Sequence, residues 1–184
     1  MDDLDRLTNV IADAARRALR ELFTSYPDHR FHYITLSTAG GMVRPVLSAC
    51  SAESLAQQLA DQGLAPDAED AVALKWSYAD SPFYAFGDTH FEGVAAAFAV
   101  RPEPGNDDAY EAEITLRRTA TEHALALLDA EGLFGLADDR AQLAVLAEIQ
   151  PPDDTNVPIA QRLNSTEALA AWLEEAAETP GPLV

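Results

Sequence analysis

The chain has 184 residues, with 12 lysines and arginines against 31 aspartates and glutamates, a formal charge of −19. Such a surface lacks the basic footprint that nucleic acid or an anionic membrane requires, so neither is expected as a partner. The 48% hydrophobic and 23% charged composition is that of a folded chain, and the one cysteine, Cys50, excludes an internal disulfide and a multi-thiolate zinc site.

Leu4, Leu7, Ile11, Ala14, Ala18 and Leu22 recur at spacings of three and four, which predicts an amphipathic helix over 3–25. Tyr26-Pro27 ends it, because the residue before proline is pushed out of the α region. Phe31 to Ser37 is aromatic and β-branched and reads as a strand. Ala39-Gly40-Gly41 supplies a turn, and 42–50 reads as the partner strand of a hairpin, with Pro45 favouring an edge or a bulge. Ser51 is the expected N-cap of a helix over 52–62, stopped by Gly63.

Val72 to Ser77 is expected as a third strand, broken by Asp80-Ser81-Pro82. Thr89 and Glu92 have capping-box spacing for a helix running to about Val100. Pro102 to Asp108 is a loop. A long helix is predicted over 109–130, with Leu116, Ala120, Ala124, Leu127 and Leu128 as its stripe and Gly132 as its stop. His123 falls on that stripe and is expected in the core. Leu143 to Ile149 reads as a strand, with extension of a helix as the alternative. Gln150 to Pro158 reads as a polar loop. Asn164 and Glu167 form a capping pair for a last helix to about Glu178, followed by a tail over 179–184.

This pattern predicts one α+β domain over 1–178, a small antiparallel or mixed sheet of three to four strands with about five helices packed on it. No basic region followed by an apolar run opens the chain and no stretch approaches the ~20 apolar residues of a membrane span, so a cytoplasmic location is expected.

The four histidines show no metal-ligand spacing, and neither a nucleophile elbow nor a phosphate-binding glycine loop is present, so no metal and no cofactor are expected. Cys50, at a strand end, is expected buried and inert. Two segments stand out. Leu74 to Pro82 brings Trp76 and Asp80 after a predicted strand. Pro151 to Asn156 carries Asp153, Asp154 and Asn156, with Arg162 following as the single base of an acidic region. These six residues are the candidate partner-binding set. Turn and cap chemistry explains the same residue types.

The acids concentrate in 51–70 and 102–116, with five acids and no base each, and in 148–184, with seven acids and one arginine. Two readings follow: solubility alone, or a face for a basic protein partner.

The opening helix ending in Tyr26-Pro27 and the Phe31-His32-Tyr33 strand leading to Thr38-Ala39-Gly40 are followed by Trp76-Ser77, Ala79-Asp80 and Glu131-Gly132-Leu133-Phe134-Gly135. Asp154, Asn156, Leu163-Asn164 and Trp172-Leu173 close the series. In this order the chain resembles a bacterial family, domain of unknown function 4303, over nearly its whole length. The resemblance implies no established activity. Similar small acidic proteins are often immunity or accessory proteins of bacterial toxin systems, which by analogy implies a non-catalytic protein that occludes a basic partner such as a toxin. The alternative is an enzyme whose site assembles from Trp76, Asp80, Asp154, Asn156 and Arg162. A third reading is a structural accessory domain.

Overall fold

The computed structural model describes residues 2–40, 43–102 and 108–177. Parts of the expected 39–41 turn and 102–108 loop, and the 179–184 tail, lie outside the described residues. The first helix, α1 (Asp3–Ser25), starts on Asp2, whose carboxylate accepts the Asp5 N–H at 2.8 Å. Strand β1 (Phe31–Ala39) follows, then β2 (Val46–Ser51), antiparallel to it. Ser51 caps α2 (Ala52–Gln62) in a reciprocal box with Ser54, and Gly63 closes it at φ 67°. Helix α3 (Glu69–Trp76) precedes a run of turns and a short 3₁₀ segment leading into α4 (Glu92–Ala99). Helix α5 (Asp108–Ala130) returns along α1, and β3 (Ala144–Gln150) then pairs parallel to β1. Helices α6 (Asn156–Leu163) and α7 (Thr166–Glu175) end the described chain.

The sheet order is β2-β1-β3, a mixed sheet with β1 at its centre. This is an α+β fold of three layers. Alternation along β1 sends Ile34 and Leu36 to one face and Tyr33, Thr35 and Ser37 to the other. On the first face, Ile34, Leu36, Leu47 and Val145 join Leu7, Ile11 and Leu19 of α1, Phe98 of α4 and Leu128 of α5 in the larger core. On the second, Tyr33, Cys50 and Leu146 meet Trp76 of α3 and Leu169 and Trp172 of α7.

Both outer strands have their edges occupied. Along β3, the Asn156 amide accepts from the Ile149 N–H at 2.9 Å and donates to the Ile149 carbonyl at 3.0 Å. One helix length later, Asn164 does the same to Val145, at 2.8 and 2.7 Å. Two side-chain amides thus stand in for a neighbouring strand and leave no long free edge to template another chain. On β2, the Phe86 N–H donates to the Leu47 carbonyl at 3.2 Å, and the Ser81 hydroxyl donates to that of Ala49.

Several expectations are corrected. Residues 72–77 are not a strand: 72–76 end α3 and Ser77 caps it. Ala73, Leu74 and Lys75 are strong helix formers, and Val72 alone is β-branched. The 150–158 segment contains the start of α6 rather than loop alone. Pro158 sits in its first turn, where its missing N–H costs nothing. Asn164 does not cap α7. Ser165 does, accepting from Ala168 N–H at 3.2 Å, while Asn164 serves β3. Thr89 makes no capping box: Asp88–Phe91 is a 3₁₀ turn preceding α4. His123 is exposed, because the buried face of α5 runs through Arg117, Ala120, Thr121, Ala124, Leu125 and Leu128 and turns His123 outward.

Gly87, at φ +63°, is required twice over. A Cβ there would lie 2.8 Å from the Ala18 Cβ of α1, and the left-handed conformation disfavours any L side chain. At the other end of α1, Glu113 is buried between Arg101, at 2.6 Å, and Arg117, at 2.7 Å. Arg117 also stands 4.4 Å from the Phe98 ring centroid. This ion cluster ties α4 to α5.

Candidate functional site

The second face of the sheet changes character along its length. Register places Tyr33 beside Cys50 and Ala144, then Thr35 beside Ser48 and Leu146, then Ser37 beside Val46 and Glu148. The face therefore begins apolar and ends polar. Its polar end opens into a cleft of about 640 Å³, a volume within the usual range of ligand sites.

Glu148 is the floor of this cleft. It is the one ionisable side chain on β3, and only 5% of its surface is exposed. Burial pushes its carboxyl up to about 7, against the opposing effect of hydroxyl bonds from Tyr78 and Thr35. The Thr35 Oγ1 donates to it at 3.2 Å. The Tyr78 phenol, itself raised far above its usual value by burial, donates to Glu148 and accepts from the Trp172 indole N–H at 3.4 Å. No arginine or lysine contributes to holding the Glu148 charge.

The walls are aromatic. Trp76 stacks on Tyr33 with ring centroids 5.6 Å apart. Its indole N–H donates to Glu175 Oε2 at 2.7 Å, and the Lys75 ammonium meets the same oxygen at 2.7 Å. Burial works against the Glu175 charge, but the bonds from Lys75 and Trp76 more than offset it and hold the carboxyl below its usual range. This knot fastens α3 to α7 and fixes the wall. At the rim, Val43, Val72 and Tyr84 are exposed at 53, 36 and 50%. Arg44, also at the rim, is bound to Asp88 at 2.6 Å.

The family described as a domain of unknown function, DUF4303, matches residues 11–165. The chain belongs to this family. No curated protein and no solved structure matches it.

Of the six residues singled out in the sequence, Trp76 and Asn156 line the cleft. The Asn156 amide is, however, committed to Ile149. Asp80 is exposed in the turns after α3 and accepts from Ser77 Oγ at 2.6 Å. Asp153 accepts the Thr155 N–H at 2.8 Å and faces Arg118 at 3.4 Å. Asp154 is exposed in the turn before α6. Arg162, on α6, makes a two-pronged pair with Glu122 of α5 at 2.6 and 2.8 Å. The five residues of the catalytic alternative therefore do not share one cavity. Cys50 is buried, and burial raises its thiol to about 11.

Glu148, Tyr78, Trp172 and Glu175 were not singled out as site residues. The signal for Glu148 lay in plain sight, as the sole charge within a strand otherwise apolar from Leu143 to Ile149. Tyr78 lay inside the flagged 74–82 segment. Glu175 carried no signal, because its role depends on how α7 meets α3.

The acidic segments also look different once folded. Ten of the twelve basic residues stand in ion pairs: Arg6, Arg16, Arg30, Arg44, Lys75, Arg101, Arg117, Arg118, Arg140 and Arg162. The positive charge is thus largely spent inside the molecule, and the excess of acids sets the external field. No group of described residues has the arrangement of a metal site, and no described helix is long and apolar enough to cross a membrane.

Proposed function

We propose that the protein is a binding module that receives a basic segment of a protein partner in the cleft above Glu148. The observation that carries this reading is the combination at that one place of an exposed apolar rim, aromatic walls and a buried carboxylate with no cation of its own. Rim residues Val43, Val72 and Tyr84 offer the apolar contact that interfaces place around an anchor. The external acidic field steers a basic partner toward it and away from competitors. An immunity-type or accessory role, in which the module occludes a basic toxin, is one form this chemistry could take.

The test is site-specific photo-cross-linking in the source cell from position 84 on the rim and, as a control, from position 136, which is 75% exposed and outside the cleft. The captured protein is then purified and its affinity measured. The reading expects a basic protein, captured from 84 and not from 136, whose binding weakens at least ~10-fold with Tyr84→Arg or Val72→Asp. Equal capture from both positions, or undiminished binding by the rim variants, would refute it.

A second reading has one observation in its favour. A carboxyl raised to about 7 is poised for general acid–base work. It predicts that a molecule bound in the cleft leaves chemically altered by the wild type and unaltered by Glu148→Gln, which mass spectrometry of the captured material distinguishes.

A further inference from the structure

Resting on the docking reading above, we infer that the floor of the cleft is a receptor for a single organic cation, the ammonium or guanidinium group of one lysine or arginine side chain of the partner. Three features converge on this ligand class. The first is an electrostatic vacancy. Glu148 is buried and receives hydroxyl bonds from Thr35 and Tyr78, yet among the described residues no arginine or lysine offsets its charge. Ten of the twelve bases already stand in ion pairs, so a cation for the ionised carboxylate would come from outside.

The second feature is the wall. Trp76, Tyr78 and Trp172 present aromatic surface around the carboxylate. Aromatic rings cover the apolar stem of a long side chain and attract its charged end. The protein uses this same pairing internally twice: Lys75 over Trp76 at 4.8 Å, and Arg117 over Phe98 at 4.4 Å. The third is the entrance. A volume of about 640 Å³ admits one extended side chain while the rim holds its neighbours.

Capture is coupled to a proton. Burial keeps the Glu148 carboxyl at about 7, and an entering cation favours the ionised form, so binding expels the proton. The other titratable or charged groups of this region are Tyr78 and Tyr33, both raised by burial, Cys50, raised by burial to about 11, Glu175, committed to Lys75 and Trp76, Arg44, committed to Asp88, and His32, which acts on Lys75 and Glu175 and is held below its usual value by burial. His32 lines a different cavity from Glu148, so the part of the pH dependence that is lost in Glu148→Gln belongs to Glu148.

The experiment titrates the isotopically labelled full chain with n-butylammonium, with n-propylguanidinium, and with the neutral 1-butanol, following the indole N–H resonances of Trp76 and Trp172. Expected is saturable binding of one or both cations and none of butanol at matched concentration. The two cation arms separate a lysine-like from an arginine-like ligand. Affinity should rise about tenfold per pH unit below the carboxyl's pKa and level off above it. Glu148→Gln, which keeps the shape and one acceptor oxygen, should weaken the cations by at least ~10-fold and abolish the pH dependence that Glu148 carries. Val72→Asp should leave the small cations bound. Equal response to butanol and the cations, or cation binding unchanged by Glu148→Gln or by pH, overturns the inference. If the cations fail to bind while position 84 still captures a basic protein with rim-dependent affinity, this inference falls and the docking reading stands. If the cations bind through Glu148 while the rim captures nothing, the partner side chain is overturned as the source.

Discussion

Replacing Glu148 by glutamine should stabilise the protein in a strongly pH-dependent way. In the unfolded chain this carboxyl titrates at its ordinary value of 4.5, and in the folded protein at about 7. Because the folded value is raised, the protonated acid is the form the fold tolerates. Its contribution is fully present below pH 4.5 and is lost progressively as pH rises to about 7. A rise from 4.5 to about 7 corresponds to about 3 kcal/mol at ~1.4 kcal/mol per unit. Glutamine keeps the size and one acceptor oxygen but never has to ionise. Urea denaturation of both proteins from about pH 4 to about pH 9 measures the effect as a difference, in which titrations common to both cancel. The variant's advantage should grow by roughly 1.4 kcal/mol per pH unit between the two pKa values and stay constant above the higher one. A difference that is flat with pH would show that Glu148 is ionised and solvated in the folded state. The desolvated floor of the cleft, and with it the argument for an external cation, would then be wrong.

Three further predictions concern the frame that holds the cleft. Asn156→Ala leaves the Ile149 N–H and carbonyl without partners and should cost about 2–4 kcal/mol, with faster amide exchange at Ile149 as the local signature; unchanged exchange would show that the amide does not protect this edge. Glu113→Ala leaves Arg101 and Arg117 buried together and should cost about 3–5 kcal/mol in denaturant melts, whereas Arg6→Ala, which breaks an exposed pair with Asp3 and leaves the Asp3–Arg101 pair in place, should cost at most about 1 kcal/mol. Gly87→Ala should cost about 2–3 kcal/mol from the left-handed backbone and the clash with Ala18, and adding Ala18→Gly should recover the clash portion only.

The helices with long apolar periods were legible in the sequence because their burial is one-sided and local. Over 3–25 the i, i+3, i+4 stripe is the face that meets the sheet. Ser51 and Gly63 bound α2 as their chemistry dictates. Helices α3 and α6 were not legible. Each has eight residues, too short for a period to separate helix from strand or loop. The site was partly legible. Trp76 stood out as an aromatic in a polar segment and lines the cleft, whereas Asp80, Asp154 and Arg162 lie outside its lining, the first two in turns and the third paired with Glu122 of α5.

The sequence by itself determined the class of fold, the central hairpin, the two long helices and the external charge, since these follow from composition and from contacts between near neighbours. Only the tertiary structure decided that Ser37, Glu148, Tyr78 and Trp172 meet. β1 and β3 pair in parallel across more than a hundred residues of chain, and register along that pairing puts Glu148 on the face that α3 and α7 close. A carboxylate's pKa depends on how completely water is removed around it. That is a property of the closed cleft, which no local stretch of sequence contains.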